Sequence, residues 1–443
     1  MAAQETRMVS KFLRDRPDDS WQFDVAREHN NAYATLDKAF SMDPDAIVEE
    51  VKTSGLRGKG GAGFGCGQKW SLVPKDVFPR YLAVNGDEGE PCTFKDHMLI
   101  ERDPHQIVEG AIVAAYAIRA HHAFIYLRGE FALGAERLGK AIEDAYAHGF
   151  LGRNILGSGY DLELTMHRGA GCYIAGDETG LLSSLEGERA MPRTKPPFPA
   201  VQGVYASPTI VNNVETISTV PHIIRNGAEW FTSMGEGRST GTRIFSVSGC
   251  VQRPGNYEVE LAKTSFRDLI EGLAGGVADE REIKFFVPGG ASSPWLVAKH
   301  LDEPLDLDYV QSELKTMLGS GAVTVFDDTV DPLQVAWRIA KFFAHESCGK
   351  CTPCREGSGW IEKVLYRMVH GQGRPEDLDL LLSFGNNIAP GLSWPPGQTT
   401  ICALGPSTVS PMVSLRNYFA DEIRERMQRD TEHRNAVSIR VAS

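Results

Sequence analysis

The sequence lacks long apolar segments. Its longest uncharged apolar run is residues 111–118, far short of the roughly 20 residues that a membrane-spanning helix needs. The first twenty residues contain no apolar core long enough for a signal peptide. We therefore expect no direct membrane insertion, and a cytoplasmic location unless a partner docks the chain onto a membrane.

Positive charge is also scarce. Lys+Arg 46 against Asp+Glu 58 give a formal net charge of -12 and a pI near 5.5. A general nucleic-acid binder needs a basic face, so we expect no nucleic-acid partner. An anionic ligand must then be held by a local group of cations. Five cations lie beside the glycine-rich segments: Arg57, Lys59, Lys69, Arg193 and Lys195.

Cysteine is too sparse for a disulfide scaffold, with eight in 443 residues. Three of them, Cys348, Cys351 and Cys354, lie within seven residues, and Cys402 follows 48 positions later. This spacing indicates metal or cluster ligands. Zinc usually prefers paired C-x2-4-C units, whereas three close thiolates with a remote fourth suit a [4Fe–4S] cluster better. Both interpretations remain open on spacing alone.

A chain of 443 residues with 42% hydrophobic and 23% charged residues is typical of a soluble protein of about three domains. Residues 1–240 alternate strand and helix patterns, which predicts a largely parallel sheet with ligands at the carboxyl ends of its strands. Residues 241–330 indicate a small sheet-plus-helix domain, and residues 331–443 are helical in pattern. The predicted strands of the first domain include 81–84, 123–127 and 161–166.

The glycine-rich segment 55–67 is the first motif that points to a ligand. Gly58, Gly60 and Gly63 formally satisfy G-x-G-x-x-G, but a helix pattern precedes them, which disfavours the ordinary dinucleotide-binding fold. A P-loop fails as well, because Gly60 replaces the required Ser or Thr. Bare backbone still allows close approach of a flat ring or a phosphate. The alternative is a glycine-rich surface turn.

Further polar motifs follow at strand ends or in stiff segments. Asn85 is followed by the carboxylates Asp87, Glu88 and Glu90, which suit ribityl and ribose hydroxyls but also a solvated turn or a divalent-ion site. A second glycine run covers 169–180, and side-chain amides occur in 211–215. The proline-rich arm 189–199 indicates either phosphate contacts with a stacking ring or a ligand for an SH3-like partner.

Taken together, the motifs GLRGKGGAGF…KW, NGDEGEP, GAG-Y-I-G-ET, SLEG-R…PR-KPPFPA, P-T-VNNVET, ESCGKCTPCREG and ICALG occur in this order. Over about residues 50–425 the chain resembles the F-type family of flavin- and NADH-binding subunits of bacterial respiratory NADH:quinone oxidoreductases (complex I). The resemblance implies an α/β fold with three parts. These are a Rossmann-like FMN/NADH domain (1–240), a β-grasp (ubiquitin-like) middle domain (241–330) and a C-terminal helical bundle carrying an iron–sulfur cluster (331–443).

The resemblance also implies the site residues. Cys348, Cys351, Cys354 and Cys402 match the cluster ligands. Phe64 and Phe198 are expected near the adenine, and Glu90, Asp177 and Lys195 near ribose, nicotinamide or phosphates. The full set of expected cofactor-binding residues is Gly58, Lys59, Gly60, Gly61, Phe64, Lys69, Asn85, Asp87, Glu88, Gly89, Glu90, Tyr173, Gly176, Asp177, Glu178, Lys195, Phe198, Val211, Asn212, Asn213, Ala403 and Leu404.

The implied activity is oxidation of NADH by hydride transfer to FMN, followed by single-electron transfer to the cluster towards quinone. The cofactors carry the chemistry, so no catalytic side chain is expected. Expected partners are the other peripheral-arm subunits of complex I, especially the E-type [2Fe–2S] subunit and the G-type iron–sulfur subunit, on the cytoplasmic side of the cell membrane. The alternatives are a diaphorase subunit of an NAD-linked hydrogenase or formate dehydrogenase, and a zinc-stabilised, non-enzymatic interaction protein.

The sequence departs from the family pattern at a few positions. Asp177 stands where Glu is usual, which predicts a less shielded pocket and altered nucleotide affinity. Cys66, Cys92 and Cys172 occupy ligand-loop positions that are usually not cysteine, and Ala175 replaces a usual cysteine. Segment 391–398 looks inserted just before Cys402.

Overall fold

The computed structural model describes residues 5–16 and 18–442, apart from the side chains of residues 14 and 436–442. The α-helices are α1 (Lys11–Asp15), α2 (Phe23–Asn30), α3 (Leu36–Ser41), α4 (Pro44–Thr53), α5 (Cys66–Ser71), α6 (Lys95–Arg102), α7 (Pro104–Ala117), α8 (Ala132–Ala147), α9 (Glu178–Leu185), α10 (Val214–Asn226), α11 (Ala228–Thr232), α12 (Leu307–Ser312), α13 (Pro332–Glu346), α14 (Thr352–Val369), α15 (Asp377–Ile388) and α16 (Leu404–Ala442). The strands are β1 (Tyr81–Gly86), β2 (His122–Leu127), β3 (Glu163–Arg168), β4 (Thr209–Asn213), β5 (Gly235–Glu236), β6 (Ser239–Thr240), β7 (Thr242–Gly249), β8 (Gly255–Glu260), β9 (Ile283–Val287), β10 (Leu296–Val297) and β11 (Ala322–Asp327).

The first sheet is four-stranded and parallel, in the order β3-β2-β1-β4. Its side chains alternate between two buried faces. Leu82 and Val84 point into the large core that includes residues of α4, α7, α8 and α10, whereas Ala83 packs with Leu181 and Leu182 of α9. Helices therefore cover both faces, and the predicted parallel sheet is confirmed.

The longest uncharged apolar run of the sequence, 111–118, forms the end of the buried helix α7 and its C-cap residue. Asp103 caps this helix by accepting the Gln106 N–H at 3.3 Å, and Pro104 occupies its first turn. Gly110 allows α10 to pack closely, because a Cβ there would lie 2.3 Å from the Ile217 carbonyl oxygen. Among the residues that the structure describes, no helix is both long and apolar enough to cross a bilayer.

The second sheet is mixed and has the order β10-β9-β11-β7-β8. Strands β7 and β8 form an antiparallel pair joined by a turn at Pro254, and β11 runs parallel to β7 and antiparallel to β9. A π-helical segment, Asp268–Leu273, lies between β8 and β9. A central parallel pair, a flanking hairpin and an intervening helix are the arrangement expected of a β-grasp domain.

The N-terminal segment is fixed to this second sheet by one buried carboxylate. Glu258 of β8 accepts the backbone N–H groups of Met8, Val9 and Ser10 at 2.9, 3.0 and 2.8 Å. The same carboxylate also accepts a hydrogen bond from the Thr242 hydroxyl at 2.6 Å. Buried carboxylates are stable only when they are hydrogen-bonded in this way. The sequence patterns did not predict this contact or the helices α1–α3.

Helices α13–α16 form the C-terminal bundle. Their apolar faces meet around Trp337, Ile361, Leu365 and Met412. The inserted-looking segment 391–398 lies between α15 and α16, where Leu392 packs against this core and its carbonyl oxygen accepts a hydrogen bond from Arg416. The first three clustered cysteines lie before or within the first turn of α14, and Cys402 directly precedes α16.

Candidate functional site

The carboxyl ends of the parallel strands bring two of the predicted loops together. Asn85 near the end of β1 is paired in register with Tyr126 of β2 and Asn213 of β4. Its side-chain oxygen accepts the Asp87 N–H at 3.0 Å, and its Nδ2 donates to the Gly176 carbonyl at 2.9 Å. Asn85 thus joins the acidic loop to the glycine run that follows β3, and both of its polar atoms are already used.

Asp87 is the polar group of this site that lacks a partner. It is 8% exposed, and its Oδ1 has no hydrogen-bond partner among the described residues. Burial raises the pKa of Asp87 to about 7. A buried acceptor without a donor is costly. A ligand bearing hydroxyl donors, such as the ribityl chain of a flavin, fits this position.

Glycines allow close approach of the backbone at the strand ends. A Cβ on Gly176 would lie 3.1 Å from the Asp87 carbonyl oxygen, and one on Gly60 would lie 2.9 Å from the Asn213 Cβ. A Cβ on Gly61 would meet nothing within 4 Å. The backbone is therefore tight against the strand ends on one side and open on the other, which fits a flat ring lying against bare backbone.

Glu88 and Asn213 act as helix caps. The Glu88 carboxylate accepts the backbone N–H groups of Asp96 and His97, both at 2.9 Å, at the start of α6. Asn213 accepts the Glu215 N–H at 3.0 Å at the start of α10 and donates to Asp96 at 2.7 Å. These contacts hold two helix N-termini at the strand ends.

A chain of polar contacts ties α5, α9, the proline-rich arm and β4 together. Glu178 accepts Lys69 at 2.5 Å and Lys195 at 3.1 Å. Although burial opposes the shift, these two ammonium groups hold the pKa of Glu178 below its ordinary value. Lys69 also donates to the Val211 carbonyl at 2.9 Å, and the neighbouring indole of Trp70 donates to Asn212 at 2.8 Å.

The five cations expected beside the glycine loops are each paired with a carboxylate. The Lys59 ammonium points away from the glycine segment into the buried face of α10. A cation in low dielectric is stable only with a close counter-charge. The pairs are Arg57–Asp308, Lys59–Glu215, Lys69–Glu178, Arg193–Glu186 and Lys195–Glu178.

Two of the expected nucleotide contacts are exposed aromatic rings. Phe64 at the end of the glycine segment is 49% exposed, and Phe198 in the proline-rich arm is 58% exposed. Large aromatic side chains are usually buried, and an exposed ring offers a flat apolar surface on which a base can stack. Their role at the adenine remains a prediction.

Glu90 and Tyr173 lie where all three regions of the chain meet. The Tyr173 hydroxyl donates to Glu90 at 2.7 Å, and the Ser292 N–H of the middle region donates to the same carboxylate at 2.7 Å. Burial raises the pKa of Glu90. The Tyr173 backbone N–H donates to Glu346 at 3.0 Å, and Gly89 lies directly against the Tyr173 ring.

Asp177 caps helix α9. Its Oδ1 accepts the Thr179 N–H at 2.9 Å, the Gly180 N–H at 3.1 Å and the Thr179 hydroxyl at 2.7 Å. Asp is a preferred N-cap residue because its short carboxylate reaches these N–H groups. The departure from the usual Glu therefore coincides with a well-formed cap.

The four clustered cysteines line one cavity, as their spacing predicts. The other residues that line it are Ile174, Pro192, Ser347, Lys350, Ile401 and Leu404. Burial raises the pKa of Cys354 to about 11. Burial also raises the pKa of Cys402 to about 12, and the nearby charge of Asp177 adds to that rise. Metal ligation takes the thiolate, so binding must release protons.

The cavity suits a cluster better than a single ion. Within the described part of the chain, no three His, Cys, Asp or Glu side chains are gathered so that they could hold one metal ion. One zinc ion needs four sulfurs within about 2.3 Å of a single point. Four thiols spread around a mostly apolar cavity fit a [4Fe–4S] cluster, whose irons each take one cysteine.

The remaining cysteines of the ligand loops have different surroundings. Cys66 is buried at the start of α5, where burial raises the pKa of its thiol to about 12. Cys92 is exposed and has a φ of 69°, a left-handed conformation that favours glycine. Cys172 is half-buried beside Tyr173, and Ala175 is buried against α9.

Several residues near the site were not among the expected site residues, although Glu346 and Lys350 lie within the cysteine motif. Arg128 directly follows β2 and donates to the Glu88 carbonyl at 2.8 Å; the rule that ligands gather at strand ends could have identified it. Ser292, Glu346 and Lys350 reach the site from other regions. Only the tertiary fold brings Ser292 and Glu346 to the loops that follow β1 and β3, and Lys350 to the Pro192 carbonyl.

Known families match both parts of the site. The sequence profile described as "Nuo51 FMN-binding domain" matches residues 51–222, and the one described as "NADH-ubiquinone oxidoreductase-F iron-sulfur binding region" matches residues 334–426. The F-type subunit of NADH-quinone oxidoreductase in Mycobacterium tuberculosis is 48% identical over 95% of this chain and 94% of its own length. The protein of the same name in Streptomyces coelicolor is 49% identical over 92% of this chain and 88% of its own length.

A solved structure is similar throughout most of the fold. A chain of an NAD+-reducing [NiFe]-hydrogenase in the H2-reduced state superposes with a TM-score of 0.80 at 35% identity. The match covers 89% of this chain and 64% of the hydrogenase chain.

Proposed function

This chain belongs to the family of F-type subunits of NADH-quinone oxidoreductase, and on this premise we propose that it oxidises NADH with FMN and a [4Fe–4S] cluster, passing the electrons on towards quinone. When bound, FMN supplies two-electron hydride acceptance and the cluster supplies one-electron transfer. The protein's part is to bind both groups, orient them and exclude water.

The observation that carries this proposal is that the two candidate cofactor sites share a loop. Residues 173–176 follow the third strand of the flavin-binding sheet, and Ile174 of this loop also lines the cysteine cavity. The Tyr173 ring packs edge-on against Phe342 and Phe343 of α13, at centroid distances of 5.2 and 5.7 Å. A short, dry path between the two groups is what single-electron transfer requires.

Individual residues take distinct parts in holding the cofactors. Asp87 accepts a ribityl hydroxyl, and the backbone of the glycine segment approaches the ring. Phe64 and Phe198 stack on the adenine, while Lys195 contacts a phosphate or ribose of the nucleotide. Cys348, Cys351, Cys354 and Cys402 ligate the cluster through their sulfur atoms.

The test is anaerobic addition of NADH to the purified holoprotein. We expect the flavin absorbance in the blue to bleach and the spectrum of a reduced [4Fe–4S] cluster to appear. Close to four irons per chain would accompany that result. A chain with zinc in place of iron and no flavin would refute the proposal and favour the zinc-stabilised interaction protein.

A diaphorase subunit of an NAD-linked hydrogenase remains the second candidate. The fold match to the NAD+-reducing [NiFe]-hydrogenase favours it. The higher identity to the F-type subunits, 48% against 35%, favours the quinone-linked enzyme. Both candidates share the NADH–flavin chemistry and differ in the partner that exchanges electrons with the chain.

The chain is accordingly one subunit of a multi-subunit complex and peripheral to its membrane. We place it on the cytoplasmic side, in contact with the E-type [2Fe–2S] subunit and the G-type iron–sulfur subunit. Co-purification from native membranes tests this assignment. Recovery of the chain with those two subunits is expected, whereas recovery in a membrane-free hydrogenase complex would refute it.

A further inference from the structure

One lysine connects the cysteine cavity to the proline-rich arm. Lys350 lies in the loop between Cys348 and Cys351 and lines the same cavity as all four cysteines. Its ammonium donates to the Pro192 carbonyl oxygen at 2.8 Å. Pro192 also lines the cavity. The arm and the cluster-binding loop are therefore joined at the edge of the cluster site.

The arm beyond Pro192 is fixed by contacts of two further residues, Arg193 and Lys195. The Arg193 guanidinium pairs with Glu186 at 2.5 Å, and its backbone N–H donates to the Thr179 hydroxyl at 2.9 Å. Lys195 then pairs with Glu178. Only two residues separate Pro192, which contacts the cluster loop, from Lys195, an expected nucleotide contact. A change at Lys350 can therefore reach the nucleotide through a short, anchored segment.

We propose that Lys350 is a positioning residue for electron transfer: it holds the nucleotide-binding arm against the cluster loop and places a positive charge that favours the reduced cluster. The inference rests on the proposed function. An added electron makes the cluster more negative, so a nearby cation stabilises the reduced form and raises the reduction potential. Hydrogen bonds and charge around the ligands are established means of tuning such potentials.

The test compares three variants of the holoprotein with wild type. Lys350→Met removes both the charge and the donor, and Lys350→Arg keeps the charge and a donor. Lys363→Met is the matched control, because it removes one exposed lysine of α14 about 14 Å of helix beyond Cys354. Iron content is measured first in every variant. The readouts are the cluster potential from an EPR-monitored redox titration, the Michaelis constant for NADH, and hydrogen exchange of residues 190–199.

We expect Lys350→Met to make cluster reduction about tenfold less favourable, which is about 59 mV for a one-electron couple. Its arm should exchange faster and its KM for NADH should rise, while Lys350→Arg stays near wild type and Lys363→Met shifts none of the three quantities. If Lys350→Met retains iron but matches Lys363→Met in potential and arm exchange, the inference is wrong. If iron is lost from Lys350→Met, the decision rests on the cluster potential and the arm exchange of Lys350→Arg. Wild-type values of both quantities uphold the inference. A lowered potential together with faster arm exchange in Lys350→Arg refutes it, because that variant keeps the charge and a donor. Failure of NADH to reduce the wild-type cluster would instead refute the proposed function.

Discussion

The cysteine cavity and the strand-end site use their motif residues differently. All four cysteines selected by spacing line the cavity. At the strand ends, several selected side chains are already satisfied inside the protein. Glu88, Asp177 and Asn213 cap three helices, and Asn85 bridges two loops.

The difference follows from what each cofactor demands. A cluster is held through sulfur–iron bonds, so the ligands must be cysteines at the cavity itself. A flavin is held mainly by shape and by a few polar contacts, so the protein must first fix backbone segments around it. Motif residues at such a site therefore position helices and loops at least as much as they touch the ligand. Asp87, with its unpartnered oxygen, is the exception that points to direct contact.

The largest effect that separates the two regions is expected for Cys354→Ser. Cys354 is buried in the cavity and takes no part in the strand-end contacts. We expect loss of most of the iron and of the reduced-cluster signal, while flavin and its bleaching by NADH are retained. Iron assay and flavin absorbance measure both. Cys250→Ser is the matched control and should change neither; equal loss of flavin in Cys354→Ser would show that the two regions are not independent.

The parts of the molecule that could be predicted from sequence are those encoded by local patterns. The strand patterns at 81–84, 123–127 and 161–166 predicted three of the four parallel strands. The observed β1 extends through Asn85 and Gly86, because both neighbouring strands pair with its polar end. The cysteine ligands could be identified because this spacing of cysteines is rarely found in proteins except at metal or cluster sites.

Contacts between distant segments could not be predicted in this way. The pairing of Lys59 with Glu215 and of Lys95 with the same carboxylate joins segments more than 100 residues apart. The sequence placed Lys59 among the cations beside the glycine loop, and the family resemblance added it to the expected cofactor contacts. The structure turns its side chain the other way, since the adjacent face of α10 offers a buried carboxylate and the Thr219 hydroxyl.

The next largest effect is expected for Glu215→Gln, which tests whether the strand-end site depends on this buried network. Glu215 is fully buried, with Lys95 at 3.0 Å and Lys59 at 3.3 Å, and although burial opposes the shift, both cations lower its pKa to about 2. Removing the charge leaves the buried Lys59 ammonium without its carboxylate and leaves Lys95 with Asp96 as its paired carboxylate. Breaking a buried pair in this way costs about 3–5 kcal/mol in the free energy of unfolding. Chemical denaturation measures the loss.

The control for Glu215→Gln is Glu422→Gln, which breaks the surface pair of Glu422 with Lys284. Exposed pairs contribute about 0–1 kcal/mol. Similar losses in the two variants would show that the buried network does not stabilise the strand ends more than an ordinary surface pair.

A smaller effect, measured through pH, is expected at Asp87. Burial holds its pKa at about 7 against an ordinary value of 3.8, and a ligand hydroxyl would favour the carboxylate. Affinity for FMN should then be constant above pH 7 and weaken by about tenfold per unit as pH falls below it. Fluorescence of released flavin between pH 5.5 and 8 measures this dependence. Asp87→Asn should bind weakly and without this pH slope; an unchanged slope would remove Asp87 from flavin binding.

The smallest effect is expected at Asp177. Its carboxylate caps helix α9 and is also an expected nucleotide contact, so this residue tests whether a strand-end side chain positions backbone or touches the ligand. Asp177→Glu should lose the cap of α9 and about 1 kcal/mol in the free energy of unfolding, since the longer side chain fits the N-cap poorly. Asp177→Asn keeps a capping oxygen without the charge and should stay near wild type in stability.

If shielding of the pocket depends on the carboxylate's reach, Asp177→Glu also changes the KM for NADH and the rate of peroxide production. Unchanged values of both, together with lost stability, would assign Asp177 to the cap alone and make it a fourth strand-end residue, after Asn85, Glu88 and Asn213, whose role is to position backbone.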